Sequence, residues 1–216
     1  YWGKSDPVLR LPLNNSISMN LSNLLSTTTV EFSPKYKSDD VSIDGQKNIN
    51  EVQRVITHLD RIRKIAKSRF FAKVVSRNNF PLSTGLSSSA SGFAALTLAA
   101  GKSLNLELSE KDLSVLARLA SGSASRSITG GFVEWVASSI SKDSYAYSIF
   151  PENHWPIVDI VAVVADQKKK VSTTYAQVNA LTSPFLTIRL ASINEKIKRL
   201  KNAIQKKNFE EFGEII

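Results

Sequence analysis

Three observations predict an α+β layered fold. Strand-like alternation opens the chain, helix-period stripes and short apolar runs then interleave with it, and no internal repeat or low-complexity tract interrupts the pattern. The 216 residues are 42% hydrophobic and 22% charged, enough to bury a sizeable core as one large or two small domains.

Residues 11–21 (LPLNNSISMNL) and 27–33 (TTTVEFS) alternate in part between apolar and polar side chains and read as strands. Asp39-Asp40 and Asp44-Gly45 flank Val41-Ser42-Ile43, which reads as a small hairpin piece. From Ile49 the period lengthens. Ile49, Val52, Val55, Ile56, Leu59, Ile62 and Ile65 recur three or four apart, predicting a helix of about five turns. Residues 70–77 return to a strand. A small-residue loop over 81–92 precedes Phe93–Ala100, apolar on most sides and therefore expected to be a buried helix. Ser109 with Asp112 predicts a capped start for a helix over 110–120. A second small-residue loop, 121–131, leads into strand 132–136, with Phe132 and Trp135 expected in the core. A weaker strand follows near 145–149. Pro151 and Pro156 bracket an expected boundary between domains 1–151 and 152–216, with His154 a structural residue at the junction. Residues 157–164 are nearly continuous Ile, Val and Ala and read as a buried strand. The remainder, 172–216, reads as helical, with Ile193, Ile197, Leu200 and Ile204 on one face.

Composition removes several function classes. With no cysteine there is no disulfide scaffold, no thiolate nucleophile and no cysteine-ligated metal site. Two histidines, His58 and His154, supply a histidine-rich metal centre or a Ser-His-Asp hydrolase poorly. No apolar run reaches the ~20 residues of a membrane-spanning helix, and no signal peptide opens the chain, so a cytoplasmic location is expected. Tyr1-Trp2-Gly3-Lys4 reads as the middle of a sequence, and the last residues stop inside a helical pattern. A fragment lacking both ends is the expectation. The formal net charge of +9 points to an anionic partner. Residues 166–207 alone carry ten Lys or Arg against Asp166 and Glu195, so most of that excess is expected on a helical face away from the candidate loops.

Two loops could carry chemistry. Gly85-Leu86-Ser87-Ser88-Ser89 sits directly before an apolar helix, where unpaired N–H groups and the helix dipole attract phosphate. It lacks the Gly-Lys-Ser/Thr of a P-loop, and a plain Ser/Gly turn packing a buried helix stays open beside phosphate binding. Ser121-Gly122-Ser123-Ala124-Ser125-Arg126 places one guanidinium among hydroxyls, a match for the fork geometry of carboxylate or phosphate. A carbonyl-capping or solvated arginine is the alternative. Lys4, beside an aromatic pair and Gly3, is a third candidate cation, with simple solvation as its alternative. The run Lys168-Lys169-Lys170 reads as a solvated turn.

Read together, these motifs resemble a known family. Tyr1-Trp-Gly-Lys4, the box Leu11-Pro-Leu-Asn-Asn-Ser-Ile-Ser18, the serine-rich stretch Asn79–Gly92, Gly122–Arg126, Gly130-Gly-Phe-Val-Glu-Trp135, His154-Trp-Pro156 and Lys168–Thr174 occur in that order. Over almost the whole chain they are similar to the mevalonate diphosphate decarboxylases of the GHMP kinase superfamily. The resemblance implies a two-layer GHMP-kinase-type N-terminal domain less its first strand, followed by the start of an α+β C-terminal domain. It also implies ATP- and Mg2+-dependent phosphorylation of the 3-hydroxyl of mevalonate 5-diphosphate, then loss of phosphate and carbon dioxide to give isopentenyl diphosphate for isoprenoid biosynthesis. The expected partners are that small molecule and a second copy in a homodimer, with no nucleic acid and no membrane.

The same resemblance assigns roles. Gly85, Leu86, Ser87, Ser88 and Ser89 would hold the ATP phosphates, with Ser88 at the metal. Arg126 would hold the substrate carboxylate, and Ser121, Gly122, Ser123, Ala124 and Ser125 would line the same pocket. Tyr1, Trp2, Gly3 and Lys4 would form the facing strip, with Lys4 near the 3-hydroxyl. Arg54, Thr173 and Thr174 would contact the diphosphate. Ser125 departs from a common cysteine, and Ser87 and Ser91 from common alanines. The family's catalytic aspartate, in an Asp-x-Gly-Pro-Asn-like motif, has no match in residues 1–216. Two relatives in function stay open: a phosphomevalonate decarboxylase and a mevalonate 3-kinase. The basic charge also raises a nucleic-acid-binding module, although the basic helices carry few of the aromatics such a surface uses.

Overall fold

Residues 1–80, 88–162 and 173–216 are described by the computed structural model, Thr174 through its backbone alone. The chain begins with a short antiparallel pair, β1 (Lys4–Asp6) and β2 (Leu11–Pro12), joined by a turn in which Asp6 Oδ1 accepts the N–H groups of Val8 at 2.8 Å and Leu9 at 2.7 Å. β3 (Ser16–Met19) and β4 (Ser26–Ser33) follow, then β5 (Asp40–Ile43), α1 (Ile49–Ala66) and β6 (Phe71–Asn78).

The apolar stripe of α1 buries Val55, Leu59 and Ile62, while Ile49 and Ile65 at its ends stay exposed. Asn48 caps the helix by accepting the N–H groups of Asn50 and Glu51, and Lys67 ends it in the left-handed region at φ 52°. Complete burial of Leu59 and Ile62 contributes about 1.5–3 kcal/mol each. The sheet beneath runs β4-β6-β5, with Val30 opposite Val74 in the antiparallel pair. β5 corrects the hairpin reading: it pairs parallel to β6, after α1 carries the chain across. Parallel neighbours need such a crossover, and only the bridge from Ile43 to Gln46 remains of a local turn.

α2 (Ser88–Ser103) packs over β4, so Ser88 to Gly92 form the helix's first turns rather than the end of a loop. α3 (Glu110–Ala120) starts with the expected capping box between Ser109 and Asp112. The second small-residue loop is also helical: Gly122–Ser127 form a 3-10 turn. β7 (Phe132–Trp135) is buried along its length as the centre of a second sheet, β3-β7-β8, with β8 (Ala146–Phe150) at its other edge. Val41, Leu59, Val74, Phe93, Leu96 and Leu116 share one core between the first sheet and the three helices.

Residues 157–162 form no regular structure, and Val158 and Ile160 are 82% and 88% exposed. The buried-strand reading of 157–164 therefore fails over these six positions, because no strand among the described residues receives them; 163 and 164 lie outside the described residues, as does Lys168–Lys170. The helical remainder divides into α4 (Thr173–Asn179), α5 (Leu186–Lys206) and α6 (Phe209–Ile215). Ile204 is fully buried, and its carbonyl lies 2.9 Å from His154 Nε2 while that imidazole stacks on Phe150.

His58 is fully buried between α1 and α2, its Nε2 2.8 Å from Thr97 Oγ1. The Thr97 hydroxyl donates to the Phe93 carbonyl at 2.6 Å, so it accepts from His58 and fixes the Nε2–H tautomer. Nδ1 has no partner. Burial, with a smaller contribution from Arg61, pushes the imidazole pKa from 6.5 down to about 3. The folded chain thus keeps the ring neutral at pH values where an unfolded chain protonates it. Stability should fall by about 1.4 kcal/mol for each pH unit below the unfolded pKa, until the folded pKa is reached. Urea unfolding at pH 7 and pH 5 should show this slope, and His58→Gln should flatten it; an unchanged slope would assign the acid sensitivity elsewhere.

Candidate active site

The Gly122–Ser127 turn presents Arg126 to an aromatic corner. Its guanidinium lies 4.9 Å from the centroid of Tyr1 and 5.8 Å from that of Trp135, and these two rings meet at 5.0 Å. Arg126 Nη1 donates to Ser16 Oγ on β3. Burial holds the guanidinium pKa below its ordinary value, with Tyr1 opposing the shift. No carboxylate pairs with Arg126 among the described residues. Gly122 admits the corner: a Cβ there would stand 3.2 Å from Trp135 Cη2.

Three residues from Tyr1, Lys4 is buried at 9% exposure on β1 with no hydrogen-bond or ion-pair partner among the described residues. Desolvation, then Arg10, lowers its pKa. Gly3 shapes this strip. Its φ is +95°, and a Cβ would come within 2.6 Å of Leu13 Cδ1. Trp2 is half exposed. Two unpaired cations in a partly desolvated setting are costly unless an anion joins them.

The start of α2 adjoins this corner. Ser89 Oγ lies 3.5 Å from Ser121 Oγ, so the two small-residue segments meet through their serines. Ser88 is half-buried in the first turn of α2, and Ser91 Oγ is 2.7 Å from Ser26 Oγ. Gly85, Leu86 and Ser87 lie outside the described residues. Among those described, no group of three or more His, Asp or Glu could hold a metal ion. The donors at this helix start are neutral hydroxyls and backbone N–H groups, a set suited to phosphate oxygens.

The remaining sequence candidates are placed less centrally. Ser125 is fully buried, and its hydroxyl donates to the Gly122 carbonyl at 2.8 Å, so it braces the turn from behind and does not line a pocket. Its departure from cysteine is thus a matter of packing. Ala124 is also fully buried in the core, and Ser123 is half-buried with no hydrogen-bond partner among the described residues. Arg54, exposed on α1, lies over the Phe93 ring at 4.8 Å. Thr173 and Thr174 open α4, Thr173 exposed.

Four polar residues around the strip are invisible as motifs. Gln177 Oε1 accepts the Gly3 N–H at 2.9 Å, and Arg189 donates to the Trp2 carbonyl and to Asn14 Oδ1. Lys201 reaches Glu134 Oε2 at 2.5 Å, a carboxylate only 2% exposed that also accepts from Tyr147 at 2.6 Å and Asn15 at 3.0 Å. Burial opposes the charge on Glu134, but these hydrogen bonds outweigh it and lower its pKa. Arg118, fully buried, donates to the Leu9 carbonyl and to Ser141; burial lowers its pKa to about 10. The expectation that the basic C-terminal helices face away from the motifs therefore fails at Arg189 and Lys201. Their spacing along α5 signals only a helix; the motif contacts arise from docking.

Residues 1–146 match the family model described as the diphosphomevalonate decarboxylase-like N-terminal domain, and residues 159–216 the mevalonate 5-diphosphate decarboxylase C-terminal domain. The chain belongs to the diphosphomevalonate decarboxylase family. It is 37% identical to the diphosphomevalonate decarboxylase of Candida albicans and 36% to that of Rattus norvegicus, over its whole length in both cases. It spans 64% and 58% of those relatives, less than two thirds of either. Its fold superposes on mevalonate diphosphate decarboxylase from Staphylococcus aureus with a TM-score of 0.90 at 36% identity, covering all of this chain and 66% of that one. A complex of MDDEF with MVAPP, AMPPCP and magnesium matches at a TM-score of 0.88 and 36% identity, covering all of this chain and 67% of that one.

Proposed function

We propose that this chain forms the substrate- and ATP-phosphate-binding part of a diphosphomevalonate decarboxylase. The reaction converts mevalonate 5-diphosphate and ATP to isopentenyl diphosphate, ADP, phosphate and carbon dioxide. One observation carries the reading: Arg126 lies over the Tyr1 and Trp135 rings, and Lys4, three residues along the chain from Tyr1, is buried, both without an acidic partner among the described residues. A substrate bearing a carboxylate and a diphosphate supplies the missing anions.

Each residue then has a role that follows from its chemistry. Arg126, braced by Ser16, presents a planar fork to the carboxylate. Lys4, its pKa lowered, places an ammonium beside the 3-hydroxyl and favours negative charge developing there. Arg54 faces the 5-diphosphate, with Thr173 and Thr174 as further contacts. Ser88 and Ser89, with Gly85 to Ser87 ahead of them, would hold the ATP phosphates and, at Ser88, Mg2+. When bound, ATP supplies the phosphoryl group that turns a tertiary hydroxyl into a leaving group. Departure of that group leaves C3 electron-poor, and the carboxylate held by Arg126 releases its bonding pair as carbon dioxide leaves. The same reading places the enzyme in the cytoplasm as a homodimer, with two domains meeting near residues 151 and 152. No helix among the described residues is long and apolar enough to cross a membrane.

A coupled assay of the intact protein with mevalonate, its 5-phosphate and its 5-diphosphate tests the proposal. Carbon dioxide and ADP should form together from the 5-diphosphate. Release of carbon dioxide from the 5-phosphate alone, or ADP without carbon dioxide, would assign the site to one of the two related activities instead.

A further inference from the structure

Arg10 belongs to no motif, yet the backbone holds it with care. The Asp6 turn delivers it at φ +54°, a left-handed conformation uncommon for a residue with a Cβ, and Arg118 pins the preceding carbonyl of Leu9. Its Nε–H donates to the Leu119 carbonyl at 3.1 Å, in the last turn of α3. That contact orients the guanidinium and leaves both terminal nitrogens without a partner among the described residues.

Other cations act on this side chain. Desolvation, then Arg54 and Arg61 on α1, depress its pKa, and Arg10 in turn depresses that of Lys4. Arg54 and Arg61 are two helical turns apart, so their attachment points are separated by about 10 Å along α1. Glu51, one turn before Arg54, acts on Arg54, and no carboxylate among the described residues pairs with Arg10 or Lys4. Glu51 cannot balance four cations drawn from β1, the β1–β2 turn and α1. A single phosphate satisfies one or two of them, whereas a diphosphate carries more charge over a longer reach.

We propose that Arg10 is a specificity-determining residue whose free guanidinium edge binds the terminal phosphate of a diphosphate, selecting such ligands over their monophosphate counterparts. This rests on the function proposed above and adds a residue to its phosphate-binding side. Contact with the α3 carbonyl alone would make Arg10 a helix cap, and the two roles separate by ligand.

Calorimetric titration of the intact protein with inorganic diphosphate, inorganic phosphate, mevalonate 5-diphosphate and mevalonate 5-phosphate tests this in the parent, Arg10→Gln and Arg10→Lys. Arg10→Gln should weaken both diphosphates about tenfold, the size of one charge-assisted hydrogen bond. The monophosphates should weaken less than about threefold, and Arg10→Lys should recover part of the diphosphate loss. Equal weakening of both classes, no weakening, or a parent that does not bind inorganic diphosphate would overturn the inference. Arg10-dependent binding of inorganic diphosphate without binding of mevalonate 5-diphosphate would instead reject the proposed substrate and keep the role of Arg10.

Discussion

Gly131→Ala is expected to destabilise the protein by about 4 kcal/mol or more. Gly131 has φ +83°, which alone costs a residue with a Cβ about 1–2 kcal/mol. The larger cost is overlap: the added carbon would stand 2.2 Å from the Phe150 carbonyl oxygen, 2.7 Å from the Pro151 carbonyl carbon and 2.8 Å from the Glu152 nitrogen. All three are backbone atoms, and a Cβ has no torsion with which to escape them. Relief requires β8 to move off β7 where Phe132 faces Phe150, which loosens the strand carrying Trp135 and with it the wall beneath Arg126. Gly130→Ala is the control. Its Cβ would meet only Glu152 Oε2 at 3.7 Å, an ordinary contact, so stability should change by less than about 0.5 kcal/mol. Urea midpoints of the two variants should differ widely, and coincident midpoints would refute the packing argument.

Arg126→Gln should lower kcat/KM for mevalonate 5-diphosphate by about 10²–10³, the loss expected when one partner of a desolvated charge pair is removed. Arg126→Lys should restore little, because an ammonium cannot present two parallel N–H groups to a carboxylate. Melting should separate this from collapse of the fold. Without substrate the guanidinium is partly desolvated and has no acidic partner among the described residues, so the neutral variant should melt no lower than the parent. Unchanged turnover in a folded Arg126→Gln variant would remove the carboxylate from this corner.

Locally encoded features were the legible ones. The stripe from Val55 to Ile62, the Ser109–Asp112 capping box and the strand at 71–78 depend on neighbours a few residues away, and each lies where the spacing predicts. The small-residue segments were found by composition, but their shape was not: Ser88 to Ser91 and Gly122 to Ser127 are helical, because packing on β4 and α3 favours turns that isolated Ser/Gly stretches do not. The orientation of Ser125 was equally hidden. One position along a 3-10 turn decides whether a hydroxyl faces a pocket or the core.

By itself the sequence determined the periodic elements, their caps, and the residue types that define the family. Each of these follows from side-chain direction and hydrogen-bond reach along a short stretch of backbone. Only the tertiary structure decided which cations are left without acids among the described residues, and which are spent elsewhere. Arg126 meets Ser16 across 110 residues, Gly3 meets Gln177 across 174, and Arg10 meets Leu119 across 109. Lys201 is neutralised by a buried glutamate, while Lys4, Arg10 and Arg126 find no carboxylate among the described residues. Partners that far apart are selected by how the layers dock, so the electrostatic imbalance that marks the site exists only in the folded chain.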